Sequence, residues 1–404
     1  MQASQSFWLT DIPDRDFQST PELPSQSDVV VIGGGIAGVS TAYWLSKDGI
    51  SVTLLERRGI CGGATGRNGG HINPRTTSDF SQSAKNYGAE TALTILKFAH
   101  ENTEALKAFV SDYAVDCDLS FSGLVWLALN SQELERVSES ASALAKYGLI
   151  GEYWDASKCA ERTRSQNFLG GLFYADAGQL WPAKLVIQMA SVAVGQGANL
   201  QTGTEVYRVE NQGKELIVKS DRGDIITRHV VYATNGWTRH LLPLLKEIIV
   251  PVRGQVLITE PAPPMWKFSF STNFGYEYCL QRSDRRIVLG GMRWLTPNLE
   301  VGIDDDTVID AAVSQGLKAF LPQHFPELSS IQIEKQWTGI LGFSQDNLPL
   351  IGPLPHRPGE YITAGFSGRG MPIAFLAGRA IAEGIAGRSS RGLVKAFAPS
   401  RFFS

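Results

Sequence analysis

The chain has 404 residues, 43% of them hydrophobic and 19% charged, with a formal net charge of −3. That balance excludes a disordered chain and a basic nucleic-acid binder, and the length allows two or three domains of ~150 residues. Four cysteines, Cys61, Cys117, Cys159 and Cys279, follow no metal or disulfide spacing and read as buried reduced thiols of a cytoplasmic protein.

Residues 1–27 are polar and lack the basic-then-apolar order of a secretory signal. No run approaches the ~18 apolar residues of a membrane span, so no membrane partner is expected. Within this leader, Ser6-Phe7-Trp8-Leu9 is an apolar patch expected to dock on the body.

A β-branched run at 28–32 predicts a parallel strand buried on both faces. Gly33-Gly34-Gly35-Ile36-Ala37-Gly38 follows it and fits G-x-G-x-x-G. A helix to Leu45 ends near Asp48-Gly49, and a second β-branched run closes at Glu56. In this context Gly33 permits the tight turn, Gly35 lets backbone approach a pyrophosphate, and Gly38 lets helix and strand pack closely. The helix N-terminus favours phosphate, and Glu56, 18 residues after Gly38, can accept from ribose hydroxyls. Ile36, Ala37 and Arg57 adjoin these positions and complete the dinucleotide-binding set.

Next comes a loop at 61–74 with five glycines between Gly62 and Gly70. It suits a backbone that wraps a flat or anionic ligand. Helical periodicity marks 83–110 and 131–147, and strands with a Ser122-Gly123 turn mark 117–129. A helix starts at Pro182 and runs to Val194. Strands follow at 199–209, 215–219 and 225–233, then at 248–252, 255–259, 277–281 and 286–290. The last four read as an antiparallel sheet of a second unit. Finally, 361–371 repeats the order strand, glycine turn, helix N-terminus, with Gly365, Gly368, Arg369, Gly370 and Met371 in the turn.

The fingerprint at 28–56, the glycine loop and the C-terminal turn together resemble FAD-dependent oxidoreductases of the D-amino-acid oxidase superfamily, which includes glycine and sarcosine oxidases. Ala64-Thr65-Gly66-Arg67-Asn68-Gly69-Gly70 and the Ser6-Phe7-Trp8-Leu9 leader look most like the branch containing gamma-glutamylputrescine oxidase. The resemblance spans about residues 6–388. It implies an α/β fold: a Rossmann-like FAD-binding domain with an inserted α+β substrate domain built on an antiparallel sheet. The expected FAD domain is discontinuous, at 28–105, 181–245 and 336–390, and the substrate domain takes 106–180 and 246–335. Residues 1–27 form the leader and 391–404 a tail.

The same resemblance makes Ala64, Thr65, Arg67, Asn68, Gly69 and Gly70 FAD contacts. It adds Val206 near the adenine, Ala233 and Asn235 near the pyrophosphate, and the 365–371 turn at the flavin pyrimidine. Tyr276 and Tyr278, with Arg282 close by, occupy the stretch whose tyrosines reach the substrate pocket, though strand tyrosines also serve as plain packing. His71 could deprotonate an ammonium or simply anchor its loop. Amino-acid-oxidising members carry an arginine shortly after the tryptophan matching Trp337. Here the position is Leu341, so either another arginine, Arg282, Arg293 or Arg369, takes over or the substrate lacks an α-carboxylate, the reading favoured here. No cysteine follows Cys279, so non-covalent FAD is expected. The implied activity is oxidation of an amine or amino-acid-like small molecule, with molecular oxygen as acceptor. A dehydrogenase feeding a quinone or carrier, and a non-catalytic nucleotide-binding protein, are the alternatives.

Overall fold

The computed structural model describes residues 4–10, 12, 16–74, 79–388 and 393–403; the remainder of the expected leader and tail lies outside them. The run at 28–32 does become the central strand of a sheet. Gln26–Ile32 pairs in parallel with Gly223–Tyr232 on one side and Val52–Leu55 on the other. Glu360–Ala364 and Asn199–Gln201 extend it in parallel at either end, and Leu350–Pro353 adds an antiparallel edge. Alternation sends Val29 and Val31 into one core and Val30 and Ile32 into another, so both faces are covered. The helices Ile36–Lys47, Pro182–Gly195 and Ala374–Ile385 supply the first core.

A second eight-stranded sheet runs from Ile333–Ser344 through Ile249–Pro261, Arg286–Gly290, Glu277–Gln281 and Ser269–Thr272 to Leu124–Ala128, Gly170–Tyr174 and Glu152–Asp155. It is antiparallel except where Ser269–Thr272 meets Leu124–Ala128. Two corrections to the sequence reading arise here. The runs at 248–252 and 255–259 form one strand, because Pro251 sits where only one neighbour pairs and its missing N–H costs no ladder bond. Residues 336–344, grouped with the first unit, belong to this second sheet, since they ladder along Ile249–Pro261 from Val250↔Phe343 to Leu257↔Gln336.

The leader does dock. Trp8 is 1% exposed. Its indole N–H donates to the Asn68 carbonyl at 2.6 Å, and its own carbonyl accepts from the Trp181 indole at 2.8 Å. Ser4 reaches the Asp306 carbonyl and Thr338. Among the described residues, no helix is long and apolar enough to cross a membrane.

Candidate active site

The carboxyl ends of the parallel strands open a groove of about 520 Å3. It begins where Gln26–Ile32 and Gly223–Tyr232 deliver Gly33 and Ala233 side by side, the crevice position at which open α/β sheets bind ligands. Gly33 has φ +115°, and a Cβ on it would lie 2.7 Å from the Ala233 carbonyl oxygen. A Cβ on Gly38 would lie 1.8 Å from the Gly33 oxygen. The helix thus presses directly onto the turn. Glu56 is held at the end of its strand by the N–H groups of Gly34 (2.6 Å) and Arg58 (2.8 Å). Thr65 Oγ1 accepts the Ile36 N–H at 2.9 Å and so caps the helix beside the glycines.

Gly33, Gly35, Ile36, Ala37, Glu56 and Arg57 line one stretch of the groove. Ala64, Thr65, Asn68, Val206, Ala233 and Asn235 line another, and Gly368, Gly370 and Met371 its far end. Segments more than 300 residues apart in sequence therefore share one surface. The sequence reading missed Arg58, Thr204, Tyr207, Trp237 and Phe366, which also line it. Trp237 closes the 233–237 turn and carries Arg57 and Arg58 over its ring at 4.9 and 5.3 Å. An aromatic residue directly after the glycine of that turn was the available signal.

Several candidates lie off the groove. Gly38 serves packing. Arg67 is a correction: its guanidinium donates to the carbonyls of Gly62, Ser4 and Thr338 and pairs with Asp306 at 3.5 Å, so it braces the loop from behind. Gly69 faces the Tyr278 ring, and Gly70, at φ +79°, faces Trp8. Gly365 gives its N–H to Asn235 Oδ1, which ties the two turns together. Arg369 is half-buried; its backbone N–H donates to the Phe366 carbonyl at 2.8 Å, while its guanidinium has no ion pair among the described residues, and burial pulls its pKa down to about 10, against the pull of Tyr87 and Asp79.

Arg282 is the second correction. It lies on the same face of its strand as Tyr278 but is sandwiched among Phe7, Trp8 and Trp181 at 5.2, 5.0 and 4.4 Å. Its charge is met by Asp284 and Asp118. The residue fastens the leader and is not available for catalysis.

His71 packs edge-on against Tyr278 at 5.6 Å, with Nε2 3.3 Å from the Cys279 carbonyl. Burial pulls its pKa down to about 4, so the ring is neutral near pH 7. Burial pushes the Tyr278 phenol up to about 12. Tyr276 lies under Arg293 at 4.7 Å. None of these three lines the groove itself; His71 and Tyr278 stand behind Gly69, and Tyr276 shares the Arg293 guanidinium with Phe343. Leu341 does line the groove.

Between the two tyrosines, Glu277 turns the other way. It is 1% exposed and accepts from the Trp294 indole and the Met292 N–H. Burial raises its pKa from 4.5 to about 7. Below 4.5 the group is protonated both folded and unfolded. Between 4.5 and 7 only the folded chain keeps the proton, so stability falls as pH rises, by about 3 kcal/mol in all. Glu277→Gln keeps an acceptor and loses the titration. Denaturant melts are expected to find it more stable than the parent at pH 8, with the gap closing at pH 5.

A family model described as FAD dependent oxidoreductase matches residues 28–384. The chain belongs to this family. This oxidoreductase is 28% identical over 375 residues to gamma-glutamylputrescine oxidoreductase of Escherichia coli (strain K12), covering 90% of this chain and 84% of that one. Its fold matches the crystal structure of glycine oxidase from Geobacillus kaustophilus with a TM-score of 0.82, at 19% identity over 94% of this chain and 99% of that one. L-proline dehydrogenase from P. horikoshii matches with a TM-score of 0.81, at 25% identity and the same coverage. The groove of this oxidoreductase fits FAD: a glycine cradle without side chains, a carboxylate at the second strand's end, and a far wall of Leu341, Phe366 and Met371 for a flat ring.

Proposed function

We propose that the protein is a cytoplasmic oxidase of primary or secondary amines that holds FAD non-covalently. The observation that carries this reading is Leu341 on the groove wall, where the resemblance expects an arginine for an α-carboxylate. Phe366 and Met371 continue the apolar wall, which suits an aliphatic amine. The E. coli relative's name, a putrescine derivative, has the same chemistry. None of the four cysteines lines the groove, which supports non-covalent binding. Four buried cysteines without a disulfide also suit the cytoplasm.

FAD, when bound, supplies a hydride acceptor for the carbon beside the nitrogen and passes two electrons to oxygen, leaving hydrogen peroxide and an imine that water hydrolyses. The chain's part is binding, orientation and charge. His71 is too acidic to hold a proton taken from an ammonium at pH 7, so it acts as a neutral prop for Tyr278. Arg293, whose charge reaches the Tyr278 phenol, and Arg369, in the 365–371 turn, are not ion-paired among the described residues, and their positive charge near the site disfavours a bound ammonium. The neutral amine, the form able to lose hydride, is thereby selected. The rate of anaerobic flavin bleaching at saturating amine is expected to rise with pH through an apparent pKa below the ~10 of a free alkylamine.

The test of the reading is peroxide release over amines, D-amino acids, N-methyl amino acids and hydroxy acids. Turnover of amines without an α-carboxylate is expected, and preference for a plain D-amino acid or a hydroxy acid would overturn it. Because a structural neighbour is named a dehydrogenase, reduced protein mixed with oxygen decides the acceptor. Reoxidation slower than turnover assigns the electrons to a quinone or carrier.

A further inference from the structure

The long helix Ala89–Asp112 buries Ile95, Phe98, Leu106 and Phe109 along one stripe. Asn102 sits in the middle of that stripe, four residues after Phe98 and four before Leu106, and is 0% exposed. The pattern asks for an aliphatic side chain there, because a buried amide costs free energy unless it is hydrogen-bonded. Both of its bonds go to one place. Nδ2 donates to the Met371 carbonyl at 3.2 Å, and Oδ1 accepts the Leu376 N–H at 3.0 Å.

Those two groups frame the start of the helix Ala374–Ile385, whose N-cap, Ile373, offers no side-chain acceptor. In a regular helix the Met371 carbonyl would accept the Phe375 N–H, and the Pro372 carbonyl the Leu376 N–H. The Asn102 amide stands in for both bonds. It is wedged into the turn, so residues 371–373 stay outside the helix. Ser40 Oγ and the Trp44 indole donate to the Ala374 and Phe375 carbonyls, which fixes the helix itself independently of Asn102.

The wedge has its effect on the groove side. Asn102 does not line the groove, but Gly370 and Met371 do. Among the described residues, neither of their N–H groups meets a protein acceptor. Two adjacent free donors, ahead of a 12-residue helix, favour negative charge on the group they face.

We propose that Asn102 is a positioning residue for the cofactor. Its amide holds the turn open so that the Gly370 and Met371 N–H groups meet the electron-rich edge of the flavin and stabilise the charge gained on reduction. Without the wedge, Met371 and Pro372 join the helix, their carbonyls take the Phe375 and Leu376 N–H groups, and the two donors leave the groove. The proposal rests on the FAD reading of the groove, with the flat ring at the wall of Leu341, Phe366 and Met371, and is independent of the substrate.

Two measurements test it. The first is the flavin reduction potential of the holoenzyme, by equilibration with a reference dye. Asn102→Leu suits the apolar stripe and removes both bonds. It is expected to keep FAD while two-electron reduction becomes about ten- to a hundredfold less favourable, or about 30–60 mV, the worth of a hydrogen bond to a charged group. Asn102→Gln, with the same amide on a longer stem, is expected to recover part of the shift. A parental potential in Asn102→Leu overturns the proposal, since a bond of structural value alone would lower the melting temperature and leave the potential unmoved. Should Asn102→Leu lose FAD, Asn102→Ser, too short to span both partners, decides by the same measure. The second measurement is hydrogen exchange across residues 366–376 of the parent with and without FAD. Protection by FAD is expected. Its absence overturns the placement of the flat ring, and the proposal with it. Protection together with a parental potential in the variant overturns the role of Asn102 alone.

Discussion

Gly38→Ala is expected to yield protein without flavin, and mostly insoluble protein. The added Cβ would fall 1.8 Å from the Gly33 carbonyl oxygen, 3.0 Å from its carbon and 3.3 Å from the Ala233 Cβ. These are mainly backbone atoms, at the point where the first helix packs on the turn that follows the central strand. No side chain can rotate aside, so the helix must slide or the turn must open. Either movement dismantles the surface shared by Gly33, Gly35 and Ala233, and the strain competes with a total stability of only ~5–15 kcal/mol. Gly195→Ala is the comparison, since nothing lies within 4 Å of its Cβ position and its φ is ordinary. At this helix end the change is expected to be neutral or stabilising by up to ~1 kcal/mol. Flavin absorbance per protein in the soluble fraction reads both variants.

Trp8→Ala carries the second large effect. It empties a site that is 1% exposed, at a cost of ~3–5 kcal/mol for a buried tryptophan. It also strips the Asn68 carbonyl of its donor, and Gly70 of the ring its backbone rests on. The damage falls on the stretch of the glycine loop that faces the groove. Lower thermal stability is therefore expected together with weaker FAD retention on dialysis. Trp8→Phe keeps most of the packing and loses only the indole N–H, so an intermediate result is expected. Retention equal to the parent in Trp8→Ala would mean that the loop holds its shape alone.

The contrast between these two residues also explains how far the sequence could be read. Gly38 was legible because strand, turn, helix and second strand are contiguous, and each needs only local geometry to declare itself. Asn68 and Thr65 were legible through the resemblance, which preserves the order of the loop. Arg67 was misread because its side-chain partners, Ser4, Asp306 and Thr338, come from three other parts of the chain. Arg282 was misread for a related reason: strand alternation puts it on the Tyr278 face, and only the folded leader covers it. Glu277 gave no sign at all, since a strand carboxylate reads as solvent-facing until α-helical and loop neighbours bury it. Arg293 was visible only as one of several arginines; its stacking between Tyr276 and Phe343 depends on a pairing of distant strands.

The threading of the leader sets an order in time. Ser4 and Thr338 meet across 334 positions of chain. At ~5–20 residues per second, the ribosome delivers the second partner about 20–70 s after the first. Until then the brace behind Arg67 and the Trp337 indole bond to the Arg67 carbonyl cannot form. The glycine fingerprint at 33–38 is complete early, whereas the loop that lies beside it is locked only near the end of synthesis. The far wall of the groove, Leu341, Phe366 and Met371, is made later still, so the two ends of the chain complete one cofactor site only when synthesis is nearly over.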